Sequence, residues 1–247
     1  MTEFAHDSVV PYQDSKHTKK EQVAEMFDNI SPRYDFLNRF LSAGIDIKWR
    51  KKALQQLAPL APKTILDVAT GTADVAIMAA AQLHPDKITG IDISKGMLEI
   101  GQKKIEKLGL TNTIELLIGD SETISFEDNT FDAVTVAFGV RNFEDLEKGL
   151  SEIKRVLKPG GKLVVLEFSK PKLFGVKGFY NLYMNVVAPG AGKLFSKNRE
   201  AYTYLHHSIK KFPEGKNFTS ILDNLGYHNT YSKTLSLGIC SIYCGEK

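Results

Sequence analysis

The chain has 247 residues, 43% of them hydrophobic and 25% charged, with a formal net charge of +3. That balance excludes a disordered chain, and the two cysteines exclude a disulfide-stapled miniprotein. One large core or two small ones suits the length. Cys240 and Cys244 share one face of a strand-like run, about 13 Å apart by strand rise, too far to bridge. Neither falls in a metal-ligand pattern, so no metal is expected and a reducing, cytoplasmic setting is the default. The N-terminal stretch has no basic start followed by an apolar run, and no segment approaches the roughly 20 apolar residues of a membrane span.

Residues 1–18 are polar and aperiodic and are expected to form a loosely ordered, flexible arm ahead of a single domain over 19–247. Residues 19–60 read as N-terminal helices: Val23, Met26, Phe27 and Ile30 recur at helical spacing. Pro32 is expected to break that run, with Ser31 as the N-cap of a new helix. Strands are then expected at 64–69, 87–92, 113–118, 131–137 and 162–168. Helices are expected at 73–83, 95–108 and 144–157, the last closed by Lys158-Pro159-Gly160-Gly161. A helix near 218–225 and two β-like runs, 228–233 and 237–244, end the chain. Apolar strands interleaved with helices give an α/β fold, a doubly wound, seven-stranded, mostly parallel sheet covered on both faces. Residues 170–213 interrupt this rhythm with a basic, aromatic stretch that includes Lys172, Lys177, Phe174, Tyr180 and Tyr204. Such an insertion is expected to form a helical lid over the strand ends, where ligands bind.

The first strand and its turn, through Asp67, Gly71, Thr72, Ala73 and Asp74, form the primary ligand site of a doubly wound sheet. Asp92 ends the second strand, where an acid suits a ribose diol because it accepts from both hydroxyls. In a G-x-G-x-x-G turn the second glycine lets the backbone touch a pyrophosphate. Here that slot holds Ala73, whose Cβ is expected to crowd the phosphates, and Asp74 adds a negative charge. The pattern disfavours a diphosphate and favours a phosphate-free cationic nucleoside, which S-adenosylmethionine is. Asp120 and Ser121 after the third strand are placed to meet an adenine amine. One such acid would read as a turn or helix cap; three, Asp67, Asp92 and Asp120, at successive strand ends point to a ligand.

At this level of detail the chain resembles the class I S-adenosylmethionine-dependent methyltransferases. More narrowly, it is similar to the menaquinone and ubiquinone biosynthesis C-methyltransferases, the demethylmenaquinone methyltransferase family. The likeness spans about 23–247 and rests on Tyr34-Asp35-Phe36-Leu37-Asn38, on Ala137-Phe138-Gly139-Val140-Arg141-Asn142, and on Arg155 to Gly161 leading to Glu167-Phe168-Ser169. Tyr202-Thr203-Tyr204-Leu205 and Phe212-Pro213 add to it. It implies cofactor contacts at Thr72, Asp92, Asp120 and Ser121, with Ala137 lining the same site beside Asp67 and Gly71. Two positions depart from the family pattern: Ala73 replaces a glycine, and Asp46 replaces a histidine three residues before Trp49.

The implied reaction converts demethylmenaquinol to menaquinol, with a benzoquinol of the ubiquinone pathway or another small aromatic as the alternative substrate. Only the reduced ring makes its carbon nucleophilic, and removal of a phenolic proton helps. Arg141 is the expected stabiliser of phenolate character, Asn142 the group that orients a ring oxygen, and Asp46 a candidate base. Tyr34, Arg141, Tyr180 and Tyr204 are the expected substrate contacts. Each has a plainer alternative: Arg141 and Asn142 could cap the helix from Glu144, Asp46 the helix containing Trp49, and Tyr34 could be core. A polyprenylated quinol stays in the bilayer, so transient membrane-surface contact through the basic lid is expected, with the protein cytoplasmic and peripheral on the inner face of the membrane. A homodimer is left open, and no nucleic-acid partner is expected, because an Asn/Asp-Pro-Pro-aromatic run is missing after strand four. A nicotinamide-dependent oxidoreductase and a non-enzymatic membrane-binding module are the competing readings.

Overall fold

Why the middle of the chain becomes a sheet is visible in its burial. In the computed structural model, which describes residues 4, 6–171 and 199–247, β1 (Thr64–Val68) is buried on both faces after its first residue. Its neighbours β2 (Lys87–Asp92) and β4 (Phe131–Ala137) both run parallel to it. β3 (Ile114–Ile118), β5 (Leu157–Phe168), β6 (His228–Leu235) and β7 (Cys240–Glu246) complete a sheet of order β3-β2-β1-β4-β5-β7-β6. Only β7 runs antiparallel, pairing with β5 and β6. The strand order reverses between β1 and β4, so the loops leaving their C-terminal ends diverge and open a crevice.

Period-two alternation sends Leu66 and Val68 into one core layer and Ile65 into the other. The first layer is sealed by α5 (Leu146–Val156) and α7 (Lys216–Asn224) through Leu150, Ile153, Phe218 and Leu222. Across the sheet, α2 (Ile45–Leu54), α3 (Asp74–Leu83) and α4 (Lys95–Lys107) bury Trp49, Leu54, Ala76, Ala79 and Ile105. A third, smaller cluster joins Val23 and Met26 of α1 (Lys19–Leu41) to Ala201 and Tyr204 of α6 (Arg199–Lys211).

Three local expectations are corrected. Pro32 does not break the first helix: α1 runs unbroken over 23 residues with Pro32 inside it. A proline cannot donate to the carbonyl four residues back, here Asp28, but the Ser31 hydroxyl donates to that oxygen at 3.0 Å. Ser31 is therefore a repair within one helix, not the cap of a second. The Lys158-Pro159-Gly160-Gly161 run is also no loop. β5 starts at Leu157 and passes through it, with Gly160 at a φ of +77° and a register shift opposite Phe131. Finally, the N-terminal arm packs against the domain where it is described. His6 is buried, and the Lys19 ammonium donates to the carbonyls of His6 and Phe143 at 3.1 and 2.9 Å. The expected lid, 170–213, lies mostly outside the described residues; α6 is its described end. Cys240 and Cys244 are both buried and unbridged.

Candidate active site

The turn after β1 carries Ala69, Gly71 and Ala73 at positive φ. Nothing crowds the space a side chain would fill at Gly71, so the φ of +56° is what favours glycine there. Opposite, Gly139 follows β4, and a Cβ on it would lie 2.5 Å from the Ala69 side chain, so the two turns meet only because Gly139 is bare. Asp92 ties this region together: one carboxylate oxygen accepts from Gly71 N–H and the other from Ser94 N–H, both at 2.8 Å. Asp67 accepts from the hydroxyls of Thr70 and Thr135 at 2.6 and 2.5 Å. Burial pushes both carboxyls up to about 6, against the opposing pull of those hydrogen bonds.

Helix α1 is the roof. Lys20, Val23, Phe27 and Tyr34 lie on one of its faces and line a crevice whose floor includes Asp92, Asp120, Ser121 and Ala137. The roof is fastened along its length. Lys20 donates to Asp120 at 2.5 Å, and the Asp28 carboxylate accepts from Ser94 Oγ and Gly96 N–H at 2.6 and 2.8 Å. Asp35 accepts from the Thr72 hydroxyl at 2.6 Å and from Lys104 at 3.0 Å. Arg39 reaches Asp46 and Asp74. A small inner pocket, walled by Arg50, Asp67, Thr72 and Asp74, adjoins the crevice and shares Tyr34, Gly71 and Ala137 with it.

The structure thus brings together Asp92, Asp120, Ser121, Gly71, Ala137, Tyr34 and Asn142 in the crevice, with Asp67 and Thr72 in the inner pocket. Asn142 accepts from the buried Tyr204 hydroxyl at 3.0 Å, which joins the end of the lid segment to the turn after β4. Burial pushes the Tyr204 phenol up, beyond the opposing influence of Arg141. Arg141 sits behind the wall, not in it. It is buried, donates to Glu167 at 2.8 Å and to the Phe138 carbonyl at 2.5 Å, and lies over the Phe168 ring. Its charge still favours ionisation of Tyr34, which lines the crevice, and of Tyr204 behind it. Neither Arg141 nor Asn142 caps α5; Asp145 does, accepting from Lys148 N–H.

Asp46 also lines neither the crevice nor the inner pocket, although it touches Arg50. It is buried in the first turn of α2, where its oxygens accept from Arg39, Arg50 and the Ser42 hydroxyl. Tyr180 lies outside the described residues. Neither Ala73 nor Asp74 works against a diphosphate in the folded chain. The Ala73 side chain packs toward Gly101 of α4 instead of into the crevice, and Asp74 is neutralised by Arg39 and Lys104 at 2.8 and 2.6 Å. What opposes an anion is the pair Asp67 and Asp92 on the walls. Among the described residues no group of acids, histidines and cysteines is arranged to hold a metal ion. Arg50 and Lys20 escaped the sequence reading. Only Arg50 left a signal there, four residues after Asp46 on one helix face.

A crevice that gathers Asp92, Asp120 and Ser121, with a polar pocket adjoining it, fits S-adenosylmethionine. Comparison with known proteins agrees. The model of the ubiE/COQ5 methyltransferase family matches residues 14–247. The chain is 47% identical to the demethylmenaquinone methyltransferase of Bacteroides fragilis, over 99% of each chain. It is 46% identical to a ubiquinone/menaquinone biosynthesis C-methyltransferase of Geotalea daltonii, over 93% of this chain and 97% of that one. In fold it resembles a SAM dependent methyltransferase from Aquifex aeolicus, with a TM-score of 0.54 and 21% identity over 74% of this chain and 81% of that one. The [4+2]-cyclase SpnF superposes with a TM-score of 0.62 at 17% identity, over 92% and 96% of the two chains, so the fold alone does not set the chemistry. Sequence, fold and crevice together make this chain a member of the ubiE/COQ5 methyltransferase family.

Proposed function

We propose that the protein is a demethylmenaquinol C-methyltransferase, completing menaquinol with S-adenosylmethionine as donor. The similarity to the Bacteroides fragilis enzyme over essentially the whole chain carries this reading. Bound S-adenosylmethionine supplies an electrophilic methyl group. The chain's own residues bind, orient and enclose. Asp92, Asp120 and Ser121 hold the nucleoside end. Asn142 spends its carbonyl on Tyr204, so its amide N–H is the end free to meet a quinol oxygen. Arg141 acts as a positioning residue, fixing the turn that bears Asn142 while its field favours a phenolate nearby. Asp46 has no place in proton transfer here, because three donors already occupy its oxygens.

No helix among the described residues is long and apolar enough to cross a membrane. In this reading the polyprenyl tail is met at the bilayer surface. Exposed Phe36, Phe40, Ile45 and Ile47 near the junction of α1 and α2 support such contact.

Incubation with labelled S-adenosylmethionine and reduced demethylmenaquinone is expected to add one methyl group to the lipid by mass spectrometry, and the oxidised quinone is expected to stay unchanged. No methyl gain on a competent reduced substrate overturns the assignment. The raised carboxyls add a pH signature. Asp67 and Asp92 serve the cofactor as carboxylates, so affinity for S-adenosylhomocysteine is expected to be full above about pH 7. It should fall about tenfold per unit for each group below about 6. Ligand-free stability runs the other way. Both acids hold protons more tightly folded than unfolded, so stability falls as pH rises from about 4 through about 6. Calorimetric titrations and melts across this range check both signs.

A further inference from the structure

A groove opens between α2, α3 and the end of α4, outside the crevice. Ile47, Ile77, Met78 and Leu108 make its apolar lining. Ile77 and Met78 are half-buried against the core beneath, whereas Ile47 and Leu108 are 36% and 56% exposed. An exposed apolar patch with a polar rim marks a surface that something covers. The rim is cationic, with Arg39, Lys51, Lys104 and Lys107 against one acid, Asp74, among the described lining residues. These cations differ in kind. Arg39 and Lys104 are both matched by Asp74. Lys51 and Lys107 are exposed, and their ammonium groups make no ion pair among the described residues. Lys51 stands one helical turn after Ile47, so a spare charge and an exposed apolar side chain share one face of α2. What complements the groove is apolar within and anionic at its boundary. A bilayer of anionic phospholipid has that layering: acyl chains meet Ile47 and Leu108 while headgroup phosphates meet the two lysines, whose long stems span the distance. Ile47 also belongs to the exposed apolar residues at the junction of α1 and α2, so the groove continues that patch.

We propose that this groove docks the protein onto an anionic phospholipid bilayer, with Lys51 and Lys107 reading the lipid charge and Leu108 entering the apolar layer. Asp74 lines both the groove and the inner pocket, so a docked bilayer lies beside the substrate site. The assignment rests on the substrate being a quinol with a membrane-held tail. It adds the face that meets the membrane and the lipid charge that face selects.

Co-sedimentation with vesicles tests this, using phosphatidylcholine alone and phosphatidylcholine mixed with phosphatidylglycerol. The unaltered protein is expected to bind the mixed vesicles at least tenfold more tightly. Lys51→Gln with Lys107→Gln should weaken that binding about thirtyfold, the loss of two charges near the surface. Leu108→Ser should weaken it about tenfold and on both kinds of vesicle. All these variants should keep their affinity for S-adenosylhomocysteine, which shows that they fold, and should methylate a tail-less demethylated quinol at the unaltered rate. Methylation of the prenylated quinol in mixed vesicles should fall with vesicle binding. Equal binding of the unaltered protein to the two kinds of vesicle overturns the proposal, and this arm needs no variant. Lysine variants that bind mixed vesicles as the unaltered protein does overturn it too. If those variants lose self-association in analytical ultracentrifugation while keeping vesicle binding, the groove belongs to a second copy of the chain and the proposal fails. Absence of methyl transfer to either quinol would instead remove the reading of the reaction, whatever the vesicles show.

Discussion

Asp92→Ala is expected to weaken S-adenosylhomocysteine binding by about a hundredfold or more, the largest single effect on the cofactor site. Hydrogen bonds to a charged group are worth about 1.5–3 kcal/mol each, and a ribose diol offers two. The same carboxylate also anchors Gly71 N–H and Ser94 N–H, so its removal frees both loops that shape the crevice. Asp92→Asn does not rescue, because its amide nitrogen turns a donor toward one of two backbone donors. Calorimetry that finds the variant within about threefold of the unaltered protein would contradict the ribose role of Asp92.

The second large effect concerns stability. Glu167 is fully buried, and Arg141, 5% exposed, is its cation partner. Removing one member of such a pair leaves a bare charge in the core, at about 3–5 kcal/mol. Glu167→Ala and Arg141→Ala should each lower the melting midpoint by roughly 10 °C in a chain of this size. Replacing both together, as in Arg141→Met with Glu167→Leu, should restore most of the stability, because the desolvation cost of both charges disappears too. Methyl transfer should not return with it, since the turn carrying Asn142 has lost the guanidinium that grips the Phe138 carbonyl. Recovery of activity in the double variant would show that Arg141 has no part in the reaction.

The sheet was readable because β1 and β4 are short apolar runs, buried on both faces, separated by segments of helical period. The acids of the site were readable for a related reason: a doubly wound sheet presents the residues at its strand ends to the ligand, and Asp67, Asp92 and Asp120 stand there. Misreadings arose where a side chain changed the local rule. Ser31 satisfies the carbonyl that Pro32 abandons, and Gly160 lets β5 continue through a run that ordinarily turns. Charges were harder to read than backbone. Asp74 looks like a free anion until Lys104, thirty residues on, is folded against it. Lys20 meets Asp120 across 100 residues. No pattern of spacing encodes such pairs, because the fold alone brings them together.

Ser31 also has a mechanical effect. Because it mends the ladder at Pro32, the roof is one stiff rod roughly 35 Å long at the rise of an α-helix. It is bolted near both ends and in between, from Lys20 to Arg39. A hinged cover could peel back a turn at a time, but a rod must lift as a unit, with several bolts drawn together. Opening the crevice on this side is therefore expected to involve the whole helix at once.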